Sequence, residues 1–175
     1  MEKLRYPIGK FVHEGEIGAG KRAEWMDDIA ALPKLIAEAV EGLSEEQLNT
    51  PYRDGGWSVR QVVHHVADSH MNSFFRFKLA LTEANPTIKA YEEKLWAELA
   101  DSSEAPVTES LAIIEGLHSR WVRLLRAMTA EQYERTFYHP GYGQTYSLAT
   151  LLGMYSWHGR HHLAHIVTLK ERSSW

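Results

Sequence analysis

The 175-residue chain contains no cysteine. That absence excludes disulfides, thiolate metal ligands and a cysteine nucleophile. No run approaches the roughly twenty apolar residues that a bilayer-spanning helix requires, so no membrane partner is expected. The opening Met1-Glu2-Lys3-Leu4-Arg5-Tyr6-Pro7 has no apolar core of a signal peptide, and a soluble cytoplasmic protein is the expectation. Neither sign of charge dominates. Nineteen Lys and Arg against 23 Asp and Glu leave a formal charge of −4, and the basic residues are scattered, whereas a nucleic-acid binder gathers them into a patch or stripe. Several catalytic motifs are missing as well. Gly141-Tyr142-Gly143 has no following phosphate-loop lysine, and there is no Gly-x-Ser-x-Gly elbow. A His-Glu-x-x-His metalloprotease helix is also excluded, because Gly159 and Arg160 follow His158.

What remains is strongly helical and long enough for one self-sufficient core. Trp25, Ile29, Leu32, Ile36, Ala39, Val40 and Leu43 recur at three- and four-residue spacing. Pro33 falls inside that pattern and should kink the helix or mark its real start. Ser58 is a good N-cap for a second helix ending near Leu81. Thr108 can cap a third with an apolar stripe through Leu111, Ile114, His118, Trp121, Leu125 and Met128. Ser147 can cap a last helix from Leu148 to about Arg172, and Ile88 to Leu99 reads as a shorter helix after Asn85-Pro86-Thr87. Four long helices predict an all-α four-helix bundle, with residues 1–175 as a single domain carrying a short extra helix and end loops. Ser44-x-x-Gln47 and Thr129-x-x-Gln132 are matching capping boxes, each followed by a Gly-containing turn, an aromatic and a serine. This weak repeat suggests two related helical hairpins. Phe137 to Tyr146 reads as a short β-hairpin at the end of the bundle.

The abundance in this chain is histidine. Four of its ten histidines fall between His158 and His165, and His64 and His65 form a pair upstream. Residues four apart on a helix share a face. Helical phase groups His158 and His162 with Leu151, Tyr155, Ile166 and Leu169 on an inward stripe, and turns His161 and His165 towards the exposed side. Two imidazoles from this helix and one from a facing helix would suit a divalent metal with an open position. The third donor is His64 or His65, and periodicity leaves that choice open. Spacing alone is equally compatible with histidines that only pack and hydrogen-bond. His118 reads as a core-edge residue, His70 as packing, and His13 and His139 as loop residues. Asp68, one turn from His65, is a candidate to orient that ring or act as a base, and equally a solvated helix-surface acid. Arg53, Asp54, Arg60 and Arg76 are candidates for polar substrate contacts, with ordinary salt bridges the competing reading.

Longer motifs carry a resemblance. They are Tyr6-Pro7-Ile8-Gly9, Thr50-Pro51-Tyr52-Arg53-Asp54-Gly55-Gly56-Trp57, Val59-Arg60-Gln61-Val62-Val63-His64-His65, Ala67-Asp68-Ser69-His70, Phe137-Tyr138-His139-Pro140 and Trp157-His158 through Ile166. With these, essentially the whole chain resembles the DinB/YfiT-like family of metal-binding four-helix bundles, which includes metal-dependent hydrolases and bacillithiol transferases. The resemblance implies one ligand from the second helix, directly before an aliphatic residue, and two from the last helix. These positions are His65, His158 and His162 here. It also implies a homodimer and one divalent metal per chain, zinc or alternatively nickel. Three neutral imidazoles leave the ion its full charge, so a bound water could ionise near neutral pH and hydrolyse a small-molecule substrate. The alternatives are a thiol S-transferase that activates an external low-molecular-weight thiol, and a non-enzymatic binding module with a structural metal.

Overall fold

The computed structural model describes residues 2–175, so that of the expected domain only Met1 lies outside it. Four long helices dominate: α2 (Ala19–Val40), α4 (Val59–Thr82), α7 (Val107–Ala127) and α9 (Leu148–Ser173). Single turns fill the connections: α1 (Glu2–Arg5), α3 (Glu45–Leu48), α5 (Glu93–Trp96), α6 (Ala100–Ser103) and α8 (Ala130–Tyr133). The antiparallel hairpin β1 (Thr136–His139) and β2 (Gln144–Ser147) precedes α9, where the sequence places a hairpin. Ser44, Ser58 and Thr129 each close a capping box with the glutamine three residues on, and the Ser147 side chain accepts from the Thr150 N–H.

Three local expectations need correction. The α2 helix starts at Ala19, so Pro33 is not its beginning; it lies within the helix. The α7 helix starts at Val107 with Pro106 in the N-cap position and no side-chain cap, so Thr108 is not the cap. Pro106 has φ −59° already preset for entry into a helix. The stretch Ile88 to Leu99 is helical only over Glu93–Trp96. Its start is extended instead, because Ile88 N–H donates to the Tyr138 carbonyl and Tyr138 N–H donates to the Pro86 carbonyl. A backbone committed to β1 cannot also close helical turns.

The α2 helix packs on α7 and α9, and α4 packs on the same two. The cyclic order is therefore α2–α9–α4–α7, with α2 diagonal to α4. In an up-and-down bundle, short loops make consecutive helices neighbours. Here two of the three long connections cross a diagonal.

Each long helix contributes to two apolar clusters. One gathers Trp25, Phe77, Trp121, Phe137 and Leu152; the other gathers Ile36, Val63, Val66, Ile114 and Ile166. Between them lies a polar stratum of buried His65, Ser69, His70, His118, His162 and His165. Glycine lets α2 and α9 approach closely. A Cβ at Gly153 would lie 2.7 Å from the Trp25 ring, and one at Gly159 would lie 2.6 Å from Leu32 Cδ2.

The close approach predicts opposite effects of one substitution at two helical glycines. Gly153→Ala should lose stability, because overpacking against a buried indole costs about 1–3 kcal/mol against a helix-propensity gain of about 1 kcal/mol. Gly116→Ala, with open space around it in α7, should gain about 0.5–1 kcal/mol. Urea unfolding of both variants checks this; a Gly153→Ala protein as stable as Gly116→Ala contradicts the packing account.

Candidate metal centre

His65 from α4 and His158 and His162 from α9 offer one ring nitrogen each, all within 4.8 Å of one another. The Nε2 atoms of His65 and His158 are 3.2 Å apart. His64, its neighbour in sequence, turns away: Nδ1 meets Ser110 Oγ at 2.7 Å and Nε2 donates to the Ala105 carbonyl at 3.0 Å. The pair that periodicity left undecided is thus divided by α7, whose Ser110 and preceding loop hold the first ring. Trp57 leans over His65 at 4.6 Å between ring centroids.

The position of His158 is set by a relay that starts in α2 and passes through α7 and α4. Pro33 has no N–H for the Ile29 carbonyl one turn earlier in α2. His118 of α7 takes that acceptor, donating from Nδ1 at 2.6 Å. A neutral imidazole that donates from one nitrogen accepts at the other. His118 Nε2 therefore accepts from His70 Nδ1–H at 2.9 Å, and His70 Nε2 accepts from His158 Nδ1–H at 3.1 Å. Every proton in this line is directed by the carbonyl at its end. His158 is left with a lone pair on Nε2, the atom that faces His65.

Burial keeps these rings neutral. Desolvation is the largest cause in each case, pushing His65 and His118 down to about 4 and His70, His158 and His162 well below the ordinary imidazole range. Neighbouring imidazoles add to the shift at His65, His70, His158 and His162. His161 and His165 are buried too, contrary to the exposed side expected for them. The N-terminal segment covers them: His165 Nε2 donates to the Arg5 carbonyl at 3.1 Å, and Trp157 Nε1 donates to the Gly9 carbonyl at 3.1 Å. Tyr52 stacks on His165 at 3.9 Å. With His162, these two form a second group of converging nitrogens.

The centre opens into a pocket of about 1100 Å³ that reaches the hairpin and residues 90–94 at the start of α5. Ser69 and Tyr155 hydroxyls lie 3.2 Å apart on its wall, and Ser69 Oγ is 3.5 Å from His158 Nε2. Burial raises the Tyr155 hydroxyl above its ordinary pKa, so it stays protonated.

The pattern of the DinB superfamily matches residues 29–166. The chain belongs to the DinB superfamily. It is 54% identical, over all of both chains, to proteins named "Putative metal-dependent hydrolase" from Bacillus mycoides strain KBAB4 and Bacillus cereus strain AH820. In structure it is similar to YfiT from Bacillus subtilis, described as "a probable metal-dependent hydrolase with an unusual four-helix bundle topology". The TM-score is 0.97 at 48% identity, covering 99% of both chains. The four-helix bundle expected from the sequence is therefore the observed fold.

This DinB-superfamily chain does not bring every candidate residue to the centre. Asp68 is half-buried beside Asp101 and is not part of the pocket wall; burial and that neighbour raise its carboxyl to about 6. Arg60 is tied into the scaffold by Glu45, Asn49 and the Ala105 carbonyl. Arg53 and Arg76 do reach the pocket. His139 ends strand β1 and is buried, so it is not a free loop residue. Sequence reasoning missed His70 and His118 as supports of His158. Their only trace in the sequence is a proline within α2 and two histidines on apolar stripes.

The buried neutral histidines predict a definite pH dependence of folding. Each binds its proton more weakly when folded than unfolded, so the unfolded chain takes up more protons between about pH 6.5 and 4. Stability should be full above pH 6.5 and fall steadily towards pH 4. Asp68 and Glu93, whose carboxyls are raised by burial, oppose this trend as two groups against several. Denaturant titration of the metal-free chain across this range measures the slope, and a flat or rising stability on acidification contradicts it.

Proposed function

We propose that this chain is a metal-dependent hydrolase whose His65, His158 and His162 hold one divalent ion, zinc in the first instance and nickel as the alternative. The observation that carries this reading is the convergence of three neutral imidazoles, one of which has its lone pair directed by the Ile29–His118–His70 chain. Two nitrogens on a tetrahedral ion at roughly 2.0–2.1 Å are about 3.3 Å apart, close to the 3.2 Å between His65 and His158 Nε2. The residues present therefore fit such an ion. Among the described residues no carboxylate and no fourth imidazole completes this group. Structural zinc is normally closed by four protein ligands, so the open set favours an enzyme over a metal-tied binding module.

A bound ion would supply Lewis acidity and lower the pKa of a nucleophile in its open position. The rest falls to the chain. Trp57 shields the His65 ring from bulk water. The Tyr155 hydroxyl, held protonated and paired with Ser69, can donate a hydrogen bond to a substrate oxygen beside His158. Thiol S-transfer to an electrophile is the second reading. It is favoured by a pocket slightly beyond the roughly 300–1000 Å³ usual for one small ligand and by the absence of a carboxylate base at the histidine group.

Metal analysis and activity assays separate these readings. Wild-type protein should carry about one divalent ion per chain, and His65→Ala, His158→Ala and His162→Ala should each lose it. Retention of full metal content by His158→Ala contradicts the ligand assignment. His70→Phe should weaken metal binding about 10–100-fold, the usual effect of removing a partner that orients a ligand, whereas His64→Phe should not. Hydrolysis of activated esters or amides should proceed without added thiol; turnover that appears only with a low-molecular-weight thiol selects the transferase.

A further inference from the structure

Arg76 of α4 is unusual among the cations of this protein. It is only 8% exposed, yet it takes part in none of the ion pairs among the described residues. It makes no side-chain hydrogen bond there and lies over no aromatic ring. Arg60, the other buried arginine of α4, shows what a structural guanidinium looks like, with three separate acceptors. A guanidinium carries five donors and cannot shed its proton, and here those donors face the pocket and no acceptor of the protein. An oxyanion entering the pocket would find this fork of donors unoccupied by any acceptor of the chain.

The surroundings of Arg76 match that expectation. It lines the same pocket as His65, His158 and His162. Tyr91, Tyr155 and His139 line the pocket with it and feel its charge. All are neutral: two hydroxyls kept protonated by burial and an imidazole kept unprotonated by it. His139 Nδ1 is itself buried without a partner. Glu92, Glu93 and Glu98 also line the pocket, but none pairs with Arg76. Glu93 responds instead to its own burial and to Lys94 and Glu92. A cation and the Tyr91 hydroxyl thus face the cavity with no anion of the chain to satisfy them, while Tyr155 is paired with Ser69.

We propose that Arg76, with Tyr91 and His139, forms an oxyanion-binding subsite that anchors a carboxylate or phosphate group of the substrate while its reacting end lies at the histidine centre beside Tyr155. This subsite rests on the hydrolase reading for the word substrate, but not for the binding itself. Ser69 links the two regions, since its hydroxyl approaches both Tyr155 and His158. The protein's substrates are then small molecules with an anionic end, oriented in the pocket by a planar fork that suits bidentate carboxylate or phosphate contacts.

The test uses the full chain stripped of metal, so that its outcome is independent of the ligand assignment. Inorganic phosphate, succinate and uncharged succinamide are titrated while the Arg76 Nε–H resonance and tryptophan fluorescence are followed. Phosphate or succinate should bind and shift the Arg76 signal, and succinamide should not. Arg76→Gln should weaken anion binding tenfold or more, since one charged hydrogen-bond contact is worth about 1.5–3 kcal/mol. Arg76→Lys, which keeps the charge and guards against a folding defect, should retain part of it. Arg123→Gln, on the exposed face of α7 outside the pocket lining, should bind as wild type. Binding unchanged in Arg76→Gln, or no response of wild type to either anion, overturns the proposal. A response to succinate alone or to phosphate alone identifies which oxyanion the subsite takes.

Discussion

One carbonyl without its helical donor organises the interior of this bundle. Proline at position 33 leaves the Ile29 oxygen free in the middle of α2, buried where water cannot serve it. An unpaired buried carbonyl is costly, and His118 satisfies it from the neighbouring α7. Because an imidazole has one donor and one acceptor when neutral, that single bond dictates the state of the next ring, and the next. Four helices are thereby connected by three directional bonds, and the last member is a histidine of the candidate centre. A defect in one helix becomes the reference point for a site reached through two others.

The polar stratum is tolerable because apolar packing encloses it on both sides. Trp121, Phe77 and Leu152 press from one direction and Val63, Val66 and Ile166 from the other. Low local polarity strengthens each hydrogen bond in the chain and also makes any broken one expensive. It holds the imidazoles neutral at ordinary pH. The diagonal placement of α2 and α4 serves the same end, since α7 and α9 then each touch both. The stratum can therefore draw on four helices at one level.

Much of this was legible before any coordinates. Serine and threonine caps with glutamine three residues on mark real helix starts, because that pattern satisfies backbone donors locally. The pair His158 and His162 followed from helical phase alone, and the structure brings both to the pocket. What stayed hidden depends on partners distant in sequence. The segment from Ile88 looked helical but is claimed by Tyr138 across the fold. His161 and His165 looked exposed because periodicity knows nothing of an N-terminal segment laid across them. His70 and His118 are invisible as a pair, since 48 residues separate them. The phase argument assigned faces correctly where a bundle helix covers them, and failed where a loop does.

Gly159 carries an implication for how this scaffold can change over time. It sits between the two histidines of α9, where a His-Glu-x-x-His helix would carry its carboxylate, and Leu32 occupies the space any side chain would need. Acquiring that acid therefore requires Leu32 to move aside or to shrink, and a smaller residue at position 32 alone would leave a cavity in the α2–α9 contact. The two positions are coupled through that one contact. Diversification of this fold is steered towards the pocket walls contributed by α4, the hairpin and residues 90–94, where side chains can vary without prising the helices apart.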